Sequence, residues 1–135
     1  MHHVTLDTNI YISAVEFGGA PLRLLHMAVD GEIEIAISQP IIDETQRVLR
    51  DKFGRSEERL AETEEWIRSF TRLVAPKEAL DIIKEDPPDN RILECAEAAG
   101  SEFIVTGDKD LLRIKRHGGV RIVKVADFLA MGRER

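Results

Sequence analysis

The stretch VTLDTNIYIS, from Val4 to Ser13, decides how the rest of the chain is read. Val4 to Leu6 has the β-branched, apolar character of a short strand, and from Thr8 the apolar residues return at helical spacing. Asp7 stands at the junction. A strand that runs into a helix with an acid between them is the opening of a parallel α/β fold, in which ligands bind beyond the carboxyl ends of the strands. The acid is therefore placed where chemistry is done.

Working outward, short Val- and Ile-rich runs recur at Ile33 to Ile37, Arg72 to Val74, Phe103 to Thr106 and Val120 to Val125. Longer segments of helical spacing lie between them. A short helix is expected from about Thr8 and a second from about Pro21, closed by Gly31. Ser38 reads as an N-cap with Pro40 just inside, and Ile41, Ile42, Val48, Leu49 and Phe53 mark one apolar side of the helix that follows. Gly54 breaks that run before a charged helix from about Ser56 to Phe70, so the two form a hairpin standing off the sheet. A helix from Pro87 to Ala99 and a short one after TGDKD complete the pattern. The expected fold is a three-layer α/β/α sandwich, a central parallel sheet of about five strands with a protruding helical hairpin, in a single domain over 1–135.

Composition narrows the class. The 135 residues are 43% hydrophobic and 33% charged, and no apolar run approaches the ~20 residues a bilayer span needs. No export signal is evident at the N-terminus, and the single Cys95 lies at helical spacing among alanines, as a small buried hydrophobe would. The expected setting is the cytoplasm, without membrane contact. The net charge of −6 argues against bulk attraction to nucleic acid, yet Lys109, Arg113, Lys115, Arg116, Arg121 and Lys124 face only Asp110 within their segment.

Asp108 closes the fourth strand as Asp7 closes the first, which puts both on one rim. Asp89 is followed at helical spacing by Ile92, Leu93 and Ala96, so its carboxylate points along the apolar stripe. Glu44 sits at the margin of its helix's apolar side beside Ile41 and Val48, and Asp43 faces away. Each acid has a structural reading as cap, turn or surface residue: Asp89 could follow Asp86 as cap, and Asp108 could cap the helix at Lys109. Three carboxylates at one end of a sheet would nonetheless repel unless a cation joined them. Oxygen-only ligation selects Mg²⁺ or Mn²⁺, and the chemistry natural to such a site is phosphate-ester hydrolysis. No Walker loop, dinucleotide fingerprint, paired Cys/His ligands or nucleophile elbow offers another.

LDTNI, the acid in PIIDETQRVL, DPPDNRILECA and IVTGDKDLL, in this order, resemble the PIN-domain nucleases, and among them the VapC-like toxins of toxin-antitoxin pairs. The resemblance implies a Mg²⁺- or Mn²⁺-dependent ribonuclease whose acidic quartet is Asp7, Glu44, Asp89 and Asp108, with Asp110 an additional metal acid and Asp86 a recurrent one better suited to capping. It implies that Thr8, Asn9 and Thr106 orient carboxylates or water, and that the partners are RNA, an antitoxin protein and a second copy of the chain in a homodimer.

Arg91, Lys109 and Arg113 are candidates for RNA phosphates. Tyr11, Trp66 and Phe70 could stack bases, but the helical spacing of Trp66, Ile67 and Phe70 with Leu60 favours packing. His2 and His3 read as a strand-edge pair. Other readings compete: a PIN nuclease in housekeeping RNA processing, a phosphoacceptor signalling domain, and a non-catalytic binding module. The phosphoacceptor requires an Asp on a middle strand, which TRLVAP lacks.

Overall fold

The computed structural model describes residues 1–77 and 87–132. Six strands form one sheet: β1 (His2–Leu6), β2 (Ile33–Ser38), β3 (Thr71–Val74), β4 (Phe103–Val105), β5 (Arg116–His117) and β6 (Val120–Val123), in the order β3-β2-β1-β4-β6-β5. All pairings are parallel except that of β5 with β6. The helices are α1 (Thr8–Phe17), α2 (Gly19–Val29), α3 (Gln39–Asp51), α4 (Glu57–Phe70), α5 (Pro87–Ala99), α6 (Lys109–Ile114) and α7 (Val125–Gly132).

The five expected strands are present. β6 stops at Val123 because the chain turns into α7, where Val125, Phe128 and Leu129 supply helical rather than alternating spacing and Phe128 is fully buried. The short edge strand β5 arises from the Gly118-Gly119 turn, with Gly118 at φ +59°, a left-handed conformation that glycine adopts without steric cost. It makes the sheet mixed. α2 begins at Gly19, two residues before the expected start at Pro21.

Side-chain alternation divides the layers. Val4 pairs in register with Ile35 and Phe103, which places all three on one face, while Thr5 shares the opposite face with Ala36 and Ile104. Thr5 meets Cys95 and Ser101 of the α5 segment, so α5 covers that second face. His2 and Phe103 meet Phe128 of α7 on the first. The main core runs through both faces and includes Ile41, Ile42 and Ile67 at the base of the α3/α4 hairpin. The hairpin's far end has a small core of its own, in which Leu49 and Leu60 pack with Ile12 of α1. Arg55 anchors the turn there by donating to Glu16 at 2.7 Å.

Trp66 and Phe70, ring centroids 4.8 Å apart, pack against the main core, and Tyr11 is fully buried, so these aromatics serve packing. Ser38 occupies the N-cap position of α3, but its hydroxyl caps nothing; it is turned inward toward Cys95. Ser56 does cap α4, accepting from the Arg59 N–H at 3.2 Å. Asp86, read as the cap of α5, lies outside the described residues.

Candidate active site

β1 and β4 are neighbours at the centre of the sheet, and the connections from them leave toward opposite edges. This is the switch point at which an open α/β sheet leaves a crevice beyond its strand ends. Asp7 follows β1 and continues its ladder, its N–H donating to Val105 at 3.0 Å. Its side chain is also the N-cap of α1, accepting from the Asn9 N–H at 3.4 Å. The carboxylate is 3% exposed. Thr106, fully buried after β4, donates from Oγ1 to Asp7 Oδ2 at 2.7 Å. The same hydroxyl accepts the Asp108 N–H at 2.9 Å.

Asp108 caps α6, taking the Asp110 and Leu111 N–H groups at 2.7 and 3.3 Å on one oxygen. Asp89 enters from α5, buried at its first turn, with Ile92 and Leu93 buried behind it. The helix N-terminus favours the negative charge. One carboxylate oxygen from each of Asp89, Asp108 and Asp110 lies within 4.8 Å of the others. Asp7 stands outside that group, tied to it through Thr106; Glu44 stands outside it on the α3 side. Three acids this close, one of them buried, repel strongly in a medium of reduced dielectric, and a hard divalent cation fits their oxygen-only donor set.

Beside the acids a groove of about 350 Å³ is lined by Thr8, Pro40, Ile41, Glu44, Arg47 and Arg91. Asp43, expected to face away, lines the same groove and is tied to Gln39 at 2.8 Å. Arg47 was not singled out in the sequence. Its spacing of three from Glu44 was the available signal, and the two form an ion pair that holds the guanidinium above its ordinary pKa. Arg91 is paired with Glu94 at 2.8 Å.

Lys109 is exposed at the start of α6, and Arg113 reaches Asp110 at 3.3 Å. Asn9 is exposed, and only its backbone contact to Asp7 orients the acid in the way expected of the residue. The two N-terminal histidines do not join the acids. His2 packs edge-on against Phe103 with ring centroids 5.3 Å apart, and His3 lies 3.4 Å from Glu34.

A crystal structure of VapBC2 from Rickettsia felis, bound to a DNA fragment from their promoter, shares the fold, with a TM-score of 0.65 and 18% identity. The match covers 90% of this chain and 98% of that one. No curated protein matches the chain in sequence. A family model of the PIN domain matches residues 3–110, a span that runs from β1 through Asp7, Glu44, Asp89 and Asp108 to Asp110. The chain belongs to the PIN domain family, a family of nucleases.

Proposed function

We propose that the chain is a Mg²⁺- or Mn²⁺-dependent endoribonuclease and the toxin of a type II toxin-antitoxin pair. The observation that carries this reading is the meeting of Asp89, Asp108 and Asp110 within 4.8 Å at the switch point of a PIN-domain sheet, next to Asp7. Asp89, Asp108 and Asp110 would hold the ion directly, and Asp7, fixed by Thr106, would complete its surroundings. When bound, the ion polarises the scissile phosphate and makes a water nucleophilic at neutral pH.

The chain's own residues do the rest. Thr106 fixes Asp7 and the cap of α6 in a single arrangement, so the carboxylates need little reorganisation on loading. Glu44 is half-buried on the groove side, where it takes the proton from the attacking water. The water oxygen bonds to phosphorus as the P–O bond to the neighbouring nucleotide's ribose breaks; the leaving ribose oxygen takes a proton from solvent, and Glu44 returns its own to solvent. Arg91, Lys109 and Arg113 neutralise the strand's phosphates, which an acidic chain requires for local affinity. The antitoxin assignment draws support from the VapBC2 complex that shares the fold. In this reading the enzyme is a cytoplasmic homodimer.

The test is incubation of the purified chain with total RNA and with single-stranded oligonucleotides, in Mn²⁺ and in EDTA. Cleavage that EDTA abolishes and that Asp89→Asn and Asp108→Asn lose is expected. Mn²⁺ should also raise the melting temperature of the wild type and not of these variants, because a ligand stabilises the fold it binds. Absence of EDTA-sensitive cleavage on all substrates overturns the enzyme reading. Growth arrest on expression, relieved by the product of an adjacent small reading frame, separates a toxin from a housekeeping nuclease.

A further inference from the structure

The groove between α3 and α5 lies near the acidic site: Thr8, in its lining, follows Asp7 directly, and Arg91, also in its lining, shares the start of α5 with Asp89. Its wall at Ile41 is apolar and its polar rim carries two guanidiniums and two carboxylates, of which Asp43 is tied to Gln39 and Glu44 to Arg47; the guanidiniums suit a phosphate beside a ribose or base face. Its volume of about 350 Å³ falls at the small end of ligand sites, which span roughly 300–1,000 Å³. The two arginines differ in how they are held. Arg91 is half-buried and paired with a buried acid, Glu94. Arg47 is 56% exposed, held by Glu44 and, at 3.9 Å, by Asp51, both on its own helix. Pairs of that kind are weak in water and exchange readily.

Resting on the ribonuclease reading, we infer that this groove is a subsite for one nucleotide flanking the cleaved bond, and that Arg47 grips its phosphate by leaving Glu44. The exchange does two things at once. A bidentate guanidinium-phosphate contact replaces an intrahelical pair, and the Glu44 carboxylate is released beside the acids only when RNA is present. Lys109 and Arg113 of α6, the helix that carries Asp110, would receive a further part of the strand. Arg47 thereby couples substrate arrival to the readiness of Glu44.

The test measures binding of a fluorescein-labelled, mixed-sequence single-stranded RNA 12-mer in EDTA, where no cleavage occurs, over a series of salt concentrations. Arg47→Ala should weaken the Kd about fivefold or more and lower the salt slope by about 0.7, the value for one lost phosphate contact on a single strand. Glu44→Gln, which removes the competing carboxylate, should tighten binding in the wild type and change nothing in the Arg47→Ala background. A structural role for the pair would not produce that dependence. Arg23→Ala, at the opposite end of the sheet beside Ile33, should leave both Kd and slope unchanged, and circular dichroism verifies each fold.

An Arg47→Ala protein with wild-type Kd and slope overturns the subsite, as does an Arg23→Ala effect of equal size. If the wild type cleaves RNA in Mn²⁺ while Arg47→Ala binds normally, only the subsite falls. If the wild type neither binds nor cleaves, the ribonuclease reading falls with it.

Discussion

Thr106 Oγ1 and Asp7 Oδ2, 99 positions apart in sequence, are joined by a 2.7 Å hydrogen bond at the centre of the sheet. The hydroxyl also receives the Asp108 N–H, so one buried side chain sets the position of two acids that come from opposite ends of the chain.

Thr106→Val keeps the shape of the residue and deletes the oxygen. It leaves Asp7 short of a donor and the Asp108 N–H short of an acceptor, and should cost about 1–3 kcal/mol in urea unfolding. Metal-dependent cleavage should fall about tenfold or more, the usual effect of losing a residue that orients a ligand. Thr106→Ser, which retains the hydroxyl, should recover most of both. A Val variant with wild-type cleavage would remove Thr106 from the site's architecture.

Acid should weaken the sheet's exposed carboxylate contacts before it disturbs the core. The Arg72 guanidinium, 2.6 Å from Glu34, holds that carboxyl below its ordinary value of 4.5, aided by His3. Glu102 is likewise lowered, chiefly by the His3 N–H at 3.0 Å. The unfolded chain takes up these protons at the ordinary value and the folded chain resists until lower pH. Their stabilisation is therefore complete above about pH 4.5 and disappears as pH falls through the lowered values. Urea midpoints followed from neutrality into that range should decline less steeply in Glu34→Gln than in the wild type. Equal slopes would show that the Arg72 pair is fully screened.

Cys95 should be inert in the native state. Burial pushes its thiol up to about 11, against weaker opposing contacts from Thr5 and Ser38. A disulfide reagent should modify it at neutral pH only at the rate at which the fold opens, and at once in concentrated urea. Because the unfolded thiol ionises near its ordinary 9.0, stability should also decline as pH rises from there toward 11. Rapid labelling of the native protein would contradict the burial.

The parts of this architecture legible in the sequence are those with local causes. Five of the strands and the helices between Ser38 and Ile114 announce themselves by period, by Ser56 as a cap and by Gly54 as a break at φ +64°. The inward aim of Asp89 follows from its spacing to Ile92 and Leu93 alone. The errors also have local causes. Val123-Lys124-Val125 reads as unbroken strand because β-branched residues fit a sheet, but tertiary packing of Phe128 draws Val125 into α7. Gly118-Gly119 signals the β5 hairpin, but a strand of two residues carries no period of its own. Ser38 looked like a cap, yet its place at the end of a buried strand turned the hydroxyl inward. At the site, residue types were readable and their connections were not. No spacing rule links Thr106 to Asp7, and the split between the Asp89, Asp108 and Asp110 group and the groove that holds Glu44 depends on how α3 and α5 lean over the strand ends.

The central pairing of β1 with β4 also sets when during its own synthesis the chain acquires a working centre. Asp7 leaves the ribosome before the partner strand, Thr106 and the α6 acids, which follow about a hundred positions later. A half-made chain carries isolated carboxylates with nothing to bring them together. The site's acids therefore come together only after synthesis has passed α6, although the first of them was made at the end of β1.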